Sequence, residues 1–424
     1  MAPDAPSPAG SIPRWDLSSI YPGLNSPEFS RDLSRLSNGI ESARTAIADA
    51  SLRETDPAEW LVRAITLINT ADDLYETLES YAYSAYSVDT TSETAIAALN
   101  RVAEVGVPMA SEAVEFRNAL SDLEPDLDAL IANHPKLQDY TSVLRVELYL
   151  QTRQLTAAEE TLATDLSRSG ADAWSRLQET ISAGLNTTWQ EEDGTEVQKT
   201  VVELRALAFH RDRAIRRRAW ETEIAAWQRV ETSLAFAING VKGATHTLNS
   251  RRGWESTMER SLRQNRLSRP ALDALISTMR EALPVFHRYL SAKARALNLP
   301  QLSFYDIFAP VGEDSASWSY ETAMAFIGDR IAEFDPEQAA FIRHAQQHQW
   351  IDAQPRPGKV GGAYCIDYPI AGESRILANF DGTYDGMSTL AHELGHAWHS
   401  HQVRDLPALQ RHYPMTLAET ASIF

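Results

Sequence analysis

The chain has 424 residues, 43% of them hydrophobic and 23% charged, which is typical of a soluble globular protein with room for two or three domains. Its formal net charge of −19 argues against nucleic acid as a main partner, because phosphate binding needs a basic surface. The single cysteine, Cys365, excludes a disulfide within the chain, and no apolar run is long enough to cross a membrane. We therefore expect a cytoplasmic protein that does not bind membranes.

The N-terminal half is predicted to be almost entirely helical. Residues 1–14 are rich in Pro, Ala and Ser and lack an apolar core, which predicts a flexible tail and not a signal peptide. From about residue 28 to 185, apolar residues recur at spacings of three and four, the pattern of amphipathic helices. We expect an N-terminal helical domain over residues 15–200 and a catalytic domain over residues 201–424.

The junction between these halves has the pattern of a β-hairpin. Residues 187–190 and 195–198 favour strands, with Asp193 and Gly194 as the turn. Helical patterns resume over about 203–297 and again after residue 320.

One run of basic residues, His210 to Arg218, departs from the acidic character of the chain. It fits either a local anion-binding site or the solvated face of a helix, and we favour the helix face.

Residues 355–384 depart from the helical pattern. Residues 360–368 and 374–380 predict two short strands. In a peptidase, the edge of such a sheet can bind an extended peptide, and glycines let the substrate backbone approach closely. A purely structural hairpin is the alternative. The substrate-binding candidates are one strand edge and one glycine-rich stretch: Leu377, Ala378, Asn379, Gly361, Gly362 and Ala363.

The clearest chemical signal is the sequence His392-Glu393-Leu394-Gly395-His396. Two histidines four residues apart on a helix lie on one side and can share a metal ion. A catalytic zinc ion takes three protein ligands and leaves a fourth position for water. Glu393 lies near the ligand face, where its carboxylate can accept the proton of that water. The alternative is a chance match on a solvated helix.

The surrounding segment predicts an amphipathic helix from Asp385 to about Gln402, with Asp385 as its N-cap. The residues predicted to form an apolar stripe opposite the two histidines are Met387, Leu390, Ala391, Leu394 and Trp398.

The third ligand decides the class of zinc site. Position 402 is glutamine, which excludes the metzincin pattern, and the carboxylates downstream of His396 are Asp405 and Glu419. We favour Glu419, because a glutamate on a second helix can complete a site with two histidines and one glutamate. The alternative is a capping box in which Glu419 only stabilises the start of its own helix with Thr416. His399 lies on the ligand face and His401 towards the apolar side.

These residues resemble the oligoendopeptidase F and thimet oligopeptidase family of zinc metallopeptidases. The resemblance rests on His392–His399, on Leu417–Ser422, on the glycine-rich stretch Arg356–Cys365 and on the opening segment Trp15–Pro22. It implies a mainly α-helical fold in which two helical halves flank a deep cleft, with a small sheet beside the zinc helix. It also implies one Zn²⁺ ion per chain and oligopeptides as substrates.

The expected activity is therefore that of a zinc endopeptidase with His392, His396 and Glu419 as metal ligands and Glu393 as general base. Two other functions fit the residues. A zinc- or peptide-binding protein without turnover could close the metal site with His399 or His412, and a zinc hydrolase could act on non-peptide amides.

The last expectation concerns the C-terminal end. Members of the resembled family continue well beyond Phe424, and the missing portion supplies hydrogen-bond donors to the reacting oxyanion. We therefore expect a fragment that presents the zinc ligands but cleaves weakly or not at all. Its apolar residues near the end, Leu417, Ala418, Ala421, Ile423 and Phe424, should be poorly enclosed.

Overall fold

The computed structural model describes residues 12–312, 317–356 and 358–423. Three predicted features lie outside these residues: positions 1–11 of the tail, Pro357 of the glycine-rich stretch and Phe424. Within them the protein is mainly α-helical with small β-sheets, as predicted. No helix among these residues is both long and apolar enough to span a membrane.

The α-helices are α1 Pro27–Ile47, α2 Ala50–Thr55, α3 Pro57–Ser87, α4 Glu93–Ser121, α5 Leu127–Asn133, α6 Pro135–Gln138, α7 Thr141–Gln151, α8 Ala157–Ser169, α9 Ala171–Gly184, α10 Val201–Ala206, α11 Arg213–Arg251, α12 Thr257–Gln264, α13 Arg269–Ala296, α14 Tyr320–Ala332, α15 Pro336–Gln347, α16 Tyr384–Val403, α17 Ala408–Arg411 and α18 Met415–Ile423. Short 3₁₀ turns occupy Glu124–Asp126, Leu207–Phe209 and Phe304–Asp306.

The strands form two sheets. The first contains β1 Asn186–Gln190 and β2 Glu196–Thr200, an antiparallel hairpin whose turn includes Gly194 at φ +87°. This confirms the predicted hairpin. The second sheet has the order β3-β5-β4, with β3 Ile351–Asp352, β4 Tyr364–Tyr368 and β5 Glu373–Leu377. Strands β4 and β5 are the predicted pair, with shorter bounds, and β3 was not predicted.

The described chain divides into two compact units. One comprises residues 12–166, 251–253 and 317–423, and the other comprises residues 167–250 and 254–312. The first unit therefore contains both the N-terminal helices α1–α7 and the segment α14–α18, which includes the two histidines of the metal motif. The predicted division into domains at residue 200 stays a prediction.

The core of the first unit includes a cluster built around α16. Met387, Leu390 and Leu394 are buried there, and Trp398 and Ala391 pack against them. This confirms the predicted apolar stripe of the helix. The stripe contacts residues of α14, α15, β3 and β5 that are themselves buried. Burial of this face fixes the opposite face of α16 as the one that carries His392 and His396.

The N-terminal segment is fixed against the same sheet. Pro13 O accepts hydrogen bonds from the backbone N–H groups of Ala353 and Gln354, and the Asp16 N–H donates to Gln349 O. The guanidinium of Arg375 on β5 donates to Asp16 O. Pro13, which lies in the predicted flexible tail, thus makes backbone hydrogen bonds next to β3. Composition does not reveal a distant backbone partner of this kind.

The basic run lies in the second unit, and ion pairs account for much of it. Arg213 and Arg216 both donate to the fully buried carboxylate of Asp306. Arg217 pairs with Glu221 one turn later, and Arg218 lies over the ring of Trp189. The run is thus neither a free anion site nor simply a solvated helix face. Much of it holds the start of α11 in place.

A buried carboxylate in the helical part of the first unit gives a prediction about stability. Glu112 on α4 is only 4% exposed, and its Oε2 atom has no hydrogen-bond partner among the described residues. Burial, with the negative charges of Asp72 and Glu115, raises the pKa of Glu112 to about 8. Between its ordinary pKa of 4.5 and about 8, the unfolded chain therefore binds fewer protons than the native one at this site. Stability is lost as the pH rises through that window.

Glu112→Gln should remove this loss, because an amide does not ionise. The melting temperature of the variant relative to the parent should rise between pH 5 and pH 8, the window set by the two pKa values. Thermal unfolding at both ends of the window measures it, and Glu104→Gln, at an exposed position of the same helix, is the control. A pH-independent difference would show that Glu112 does not resist ionisation.

Candidate metal centre

Helix α16 carries the metal motif, and its start differs from the prediction. The N-cap is Thr383, whose Oγ1 atom accepts a hydrogen bond from the Gly386 N–H at 3.0 Å. Asp385, the predicted cap, lies in the first turn. The error has a local cause: Thr383 and Asp385 are both good capping residues, and the sequence pattern alone does not choose between them.

A hydrogen bond from α16 to the sheet helps to fix the C-terminal half of the helix. The Asp367 carboxylate on β4 accepts hydrogen bonds from Ser400 Oγ on α16 and from Ser374 Oγ on β5, at 2.7 and 2.8 Å. Burial raises the pKa of Asp367. The contact ties the metal-binding helix to two strands through one buried carboxyl group.

The structure brings together the three predicted ligands. Potential ligand atoms of His392, His396 and Glu419 all lie within 4.8 Å of one another. Glu419 Oε2 is 3.2 Å from His392 Nε2 and 3.5 Å from His396 Nε2. Ligands about 2.1 Å from a tetrahedral zinc ion lie about 3.4 Å from each other. The two distances from Glu419 to the histidines, and the type of all three donor groups, therefore fit a zinc ion.

The charges at the site are also those that a metal ion requires. Burial lowers the pKa of His396, which favours the neutral imidazole that can donate its lone pair. A hydrogen bond from Ser422 lowers the pKa of Glu419, and the two histidines reinforce this effect, which favours the carboxylate. Two imidazoles and one carboxylate are a donor set used at catalytic zinc sites.

Glu393 lies beside this cluster in a drier environment. It is 6% exposed, and burial together with the negative charge of Glu419 raises its pKa to about 7. A carboxyl group with a pKa close to the working pH can both accept and return a proton. The buried position distinguishes Glu393 from Glu419, whose side chain is 52% exposed.

Asp405 and the other histidines lie outside the ligand cluster found among the described residues. Asp405 is highly exposed and pairs with Arg404. His399 stacks on Tyr413 with ring centroids 4.6 Å apart, and His401 packs against Phe341 and Trp398. Neither His399 nor His412 joins the three ligands as a fourth.

The capping-box alternative for Glu419 does not fit the observed helix. Helix α18 begins at Met415, so Thr416 lies inside the helix and is not its N-cap. The Glu419 carboxylate instead accepts a hydrogen bond from Ser422 Oγ, one turn further along, and faces the two histidines.

Gly395 allows α18 to approach the metal motif. A Cβ atom at position 395 would lie 2.7 Å from Ser422 Cα and 2.8 Å from Ala421 O. Both are backbone atoms, so a side chain at position 395 would require α18 to move. The close packing of α18, and not the backbone conformation of α16, thus explains the glycine inside the motif.

Gly395→Ala should therefore weaken zinc binding, because α18 carries Glu419 and must shift to make room. We expect a loss of about 10-fold or more, the range found when the support of a ligand is removed. Competition with a chromophoric chelator measures the affinity. Gly328→Ala is the matched control, since a Cβ atom there meets nothing within 4 Å and Gly328 is also helical. Parent-like zinc affinity in Gly395→Ala would contradict the packing argument.

The prediction that Leu377 and Ala378 form a free strand edge is wrong. Strand β5 is the central strand, and Leu377 at its end is paired with Tyr364 on one side and Asp352 on the other. Ala378 also has both backbone groups occupied: its N–H donates to Asp352 O, and its carbonyl accepts from Lys359 Nζ. Leu377 and Ala378 are buried and offer no free edge. No residue pattern indicated β3, the strand that makes β5 central.

The third residue of that group, Asn379, supports the glycine-rich stretch. Its Nδ2 donates to Val360 O and Gly362 O at 3.0 and 2.9 Å. Gly361 and Gly362 are exposed, and Gly362 has φ +80°, a conformation that favours glycine. Contact of this stretch with a substrate stays a prediction.

Three contributors to the site were not predicted. Ser422 hydrogen-bonds the third ligand, Gly395 admits its helix, and Lys359 holds the glycine-rich stretch with a buried ammonium group bonded to Asp352 and Ala378. A glycine inside an amphipathic helix pattern is a known sign of close packing and could have indicated Gly395. The spacing of Glu419 and Ser422, one helical turn, could have indicated their contact. Nothing in the local sequence indicates the partners of Lys359.

Comparisons with known proteins identify the family of the chain. The model of peptidase family M3 matches residues 206–424, just over half of the chain, and a model described as oligopeptidase F matches residues 123–186. Oligopeptidase PepF of Bacillus subtilis is 23% identical over 87% of this chain, and an oligoendopeptidase F homolog of Lactococcus lactis is 23% identical over 96% of it. The chain spans 55% and 67% of the lengths of these two relatives.

Solved structures show the same fold. Oligoendopeptidase F from Enterococcus faecium aligns with a TM-score of 0.63 at 19% identity, covering 93% of this chain and 65% of that one. PZ peptidase A aligns with a TM-score of 0.66 at 17% identity, covering 88% and 64%. The resemblance predicted from the sequence is confirmed: this chain belongs to peptidase family M3.

Proposed function

We propose that the protein is a zinc-dependent endopeptidase that hydrolyses internal peptide bonds of oligopeptides. One observation carries the proposal: His392, His396 and Glu419 bring their ligand atoms within 4.8 Å of one another, with the buried Glu393 beside them. The names of the relatives, oligopeptidase and oligoendopeptidase, support oligopeptides as the substrate class.

The zinc ion and the protein residues would contribute different parts of the hydrolysis. A bound zinc ion would lower the pKa of a water molecule and polarise the scissile carbonyl group. The two histidines and Glu419 would hold the ion, and the Glu393 carboxylate would accept the proton of the water. Glu393 would then return that proton to the nitrogen of the leaving amine. Its raised pKa suits both steps, because the group must be a base first and an acid afterwards.

Substrate contact is proposed for the glycine-rich stretch alone. Gly361 and Gly362 are exposed, Ala363 follows them, and Asn379 and Lys359 hold the surrounding backbone. A peptide backbone can approach glycine closely because no Cβ atom intervenes. Leu377 and Ala378 are not included, since they are buried in and beside the central strand.

The test is to identify the products. Unstructured peptides with blocked and free ends, a folded protein and a non-peptide amide are each incubated with the zinc-loaded protein, and products are measured by mass spectrometry. Cleavage of blocked peptides at internal bonds supports the proposal. Release of terminal residues only, or cleavage of the non-peptide amide only, would replace it with another class of zinc hydrolase.

Location in the cytoplasm stays a prediction from the single cysteine.

A further inference from the structure

The third ligand, Glu419, has little packing to hold it. Its side chain is 52% exposed near the middle of the short helix α18. A glutamate side chain that is free to rotate loses conformational entropy when a metal ion orders it, and this loss weakens binding. Some other contact must therefore limit the positions of its carboxylate if the site is to be formed before the ion binds.

Ser422 makes such a contact. Its Oγ atom lies 2.7 Å from Glu419 Oε2 and 3.2 Å from the backbone carbonyl oxygen of Glu419. The same Oε2 atom is the one that lies 3.2 and 3.5 Å from the two histidine Nε2 atoms. The hydroxyl group therefore bonds the oxygen that faces the ligands and not the one that faces away.

The backbone of Ser422 is itself fixed relative to the metal motif. Its Cα atom would lie only 2.7 Å from a Cβ atom at Gly395, which shows how closely the two helices pass. Gly395 directly precedes the ligand His396. The position of the hydroxyl is thus set from the helix that carries the two histidines, and the hydroxyl in turn sets the carboxylate.

We infer that Ser422 is a positioning residue for the third zinc ligand, which it orients through the hydrogen bond to Glu419 Oε2. The inference rests on the proposed zinc site. Hydrogen bonds to metal ligands typically change metal affinity about 10–100-fold when they are removed. Ser422 is expected to act within that range and only through Glu419.

The experiment compares four variants with the parent: Ser422→Ala, Thr420→Ala, Glu419→Ala and the double variant Ser422→Ala/Glu419→Ala. Zinc affinity is measured by chelator competition, and the absorption spectrum of the cobalt-substituted protein reports the ligand geometry. Thr420 is the matched control, because it is an exposed hydroxyl residue on the same helix. Circular dichroism of the metal-free proteins checks that the fold is retained.

Ser422→Ala should weaken zinc binding about 10–100-fold and alter the cobalt spectrum, while Thr420→Ala matches the parent. In the Glu419→Ala background, loss of the Ser422 hydroxyl should have no further effect, because the two residues act as one unit. Parent-like affinity in Ser422→Ala, or an equal loss in both backgrounds, would overturn the inference. If Glu419→Ala itself binds zinc as the parent does, the proposed zinc site fails instead.

Discussion

Glu393→Gln is expected to lose most peptide hydrolysis while it retains zinc. The amide has nearly the same size as the carboxylate, but it cannot accept a proton from the attacking water. Removal of a general base typically costs about 10²–10⁴-fold in rate. Glu393 is not among the grouped ligand atoms, so the metal content should match that of the parent.

Initial rates on a quenched fluorescent peptide, divided by bound zinc, measure this effect. Glu321→Gln, at an exposed position on α14, is the control for the same chemical change elsewhere. If Glu393→Gln cleaves at a rate near that of the parent, another group removes the proton. If it loses zinc as well, its effect on rate says nothing about proton transfer.

Glu419→Ala should weaken zinc binding more than Ser422→Ala or Gly395→Ala does. Removal of a ligand opens the coordination sphere, so the loss should exceed the roughly 10–100-fold that is typical of hydrogen-bond partners of ligands. Asp405→Ala is the matched control, since Asp405 was the other candidate and is exposed in a pair with Arg404. Zinc content after dialysis against a metal-free buffer measures both. Equal occupancy in the Glu419 variant and the parent would exclude Glu419 as a ligand.

For helix α16, sequence periodicity predicted the buried face correctly. The apolar stripe that was predicted from residue spacing is the face that packs in the core, and the two histidines lie on the other face. Periodicity succeeds here because burial of one face is a local property of a helix. The helix start was less accurate, because Thr383 and Asp385 have similar capping strength and the surrounding fold decides between them.

The order of strands in the sheet could not be predicted from local residue patterns. Strands were predicted from composition at residues 360–368 and 374–380, and β4 and β5 lie at 364–368 and 373–377. The order of the strands, however, depends on a partner of only two residues, Ile351 and Asp352. So short a strand has no pattern of its own. Without it, β5 was expected at an edge, although it lies in the centre.

For Glu419, the proposed third ligand, the sequence was sufficient for only part of the assignment. Its residue type and its place on a second helix were sufficient to favour Glu419 over Asp405, but the choice against the capping box needed the observed start of α18. The close passage of α18 over Gly395 and the bond from Ser422 depend on the distance between two helices. That distance is a tertiary property, which local residue preferences do not contain.

Zinc-dependent turnover tests the central claim most directly. The protein is stripped of metal with a chelator and then titrated with zinc, and hydrolysis of the fluorescent peptide is followed at each addition. We expect the hydrolysis to be weak, and we predict that it stops in the metal-free protein and returns in proportion to added zinc, up to one ion per chain. The same titration of Glu393→Gln should bind zinc without restoring hydrolysis. Peptide hydrolysis that proceeds equally in the metal-free and the zinc-loaded protein would contradict the assignment of His392, His396 and Glu419 as a catalytic metal site.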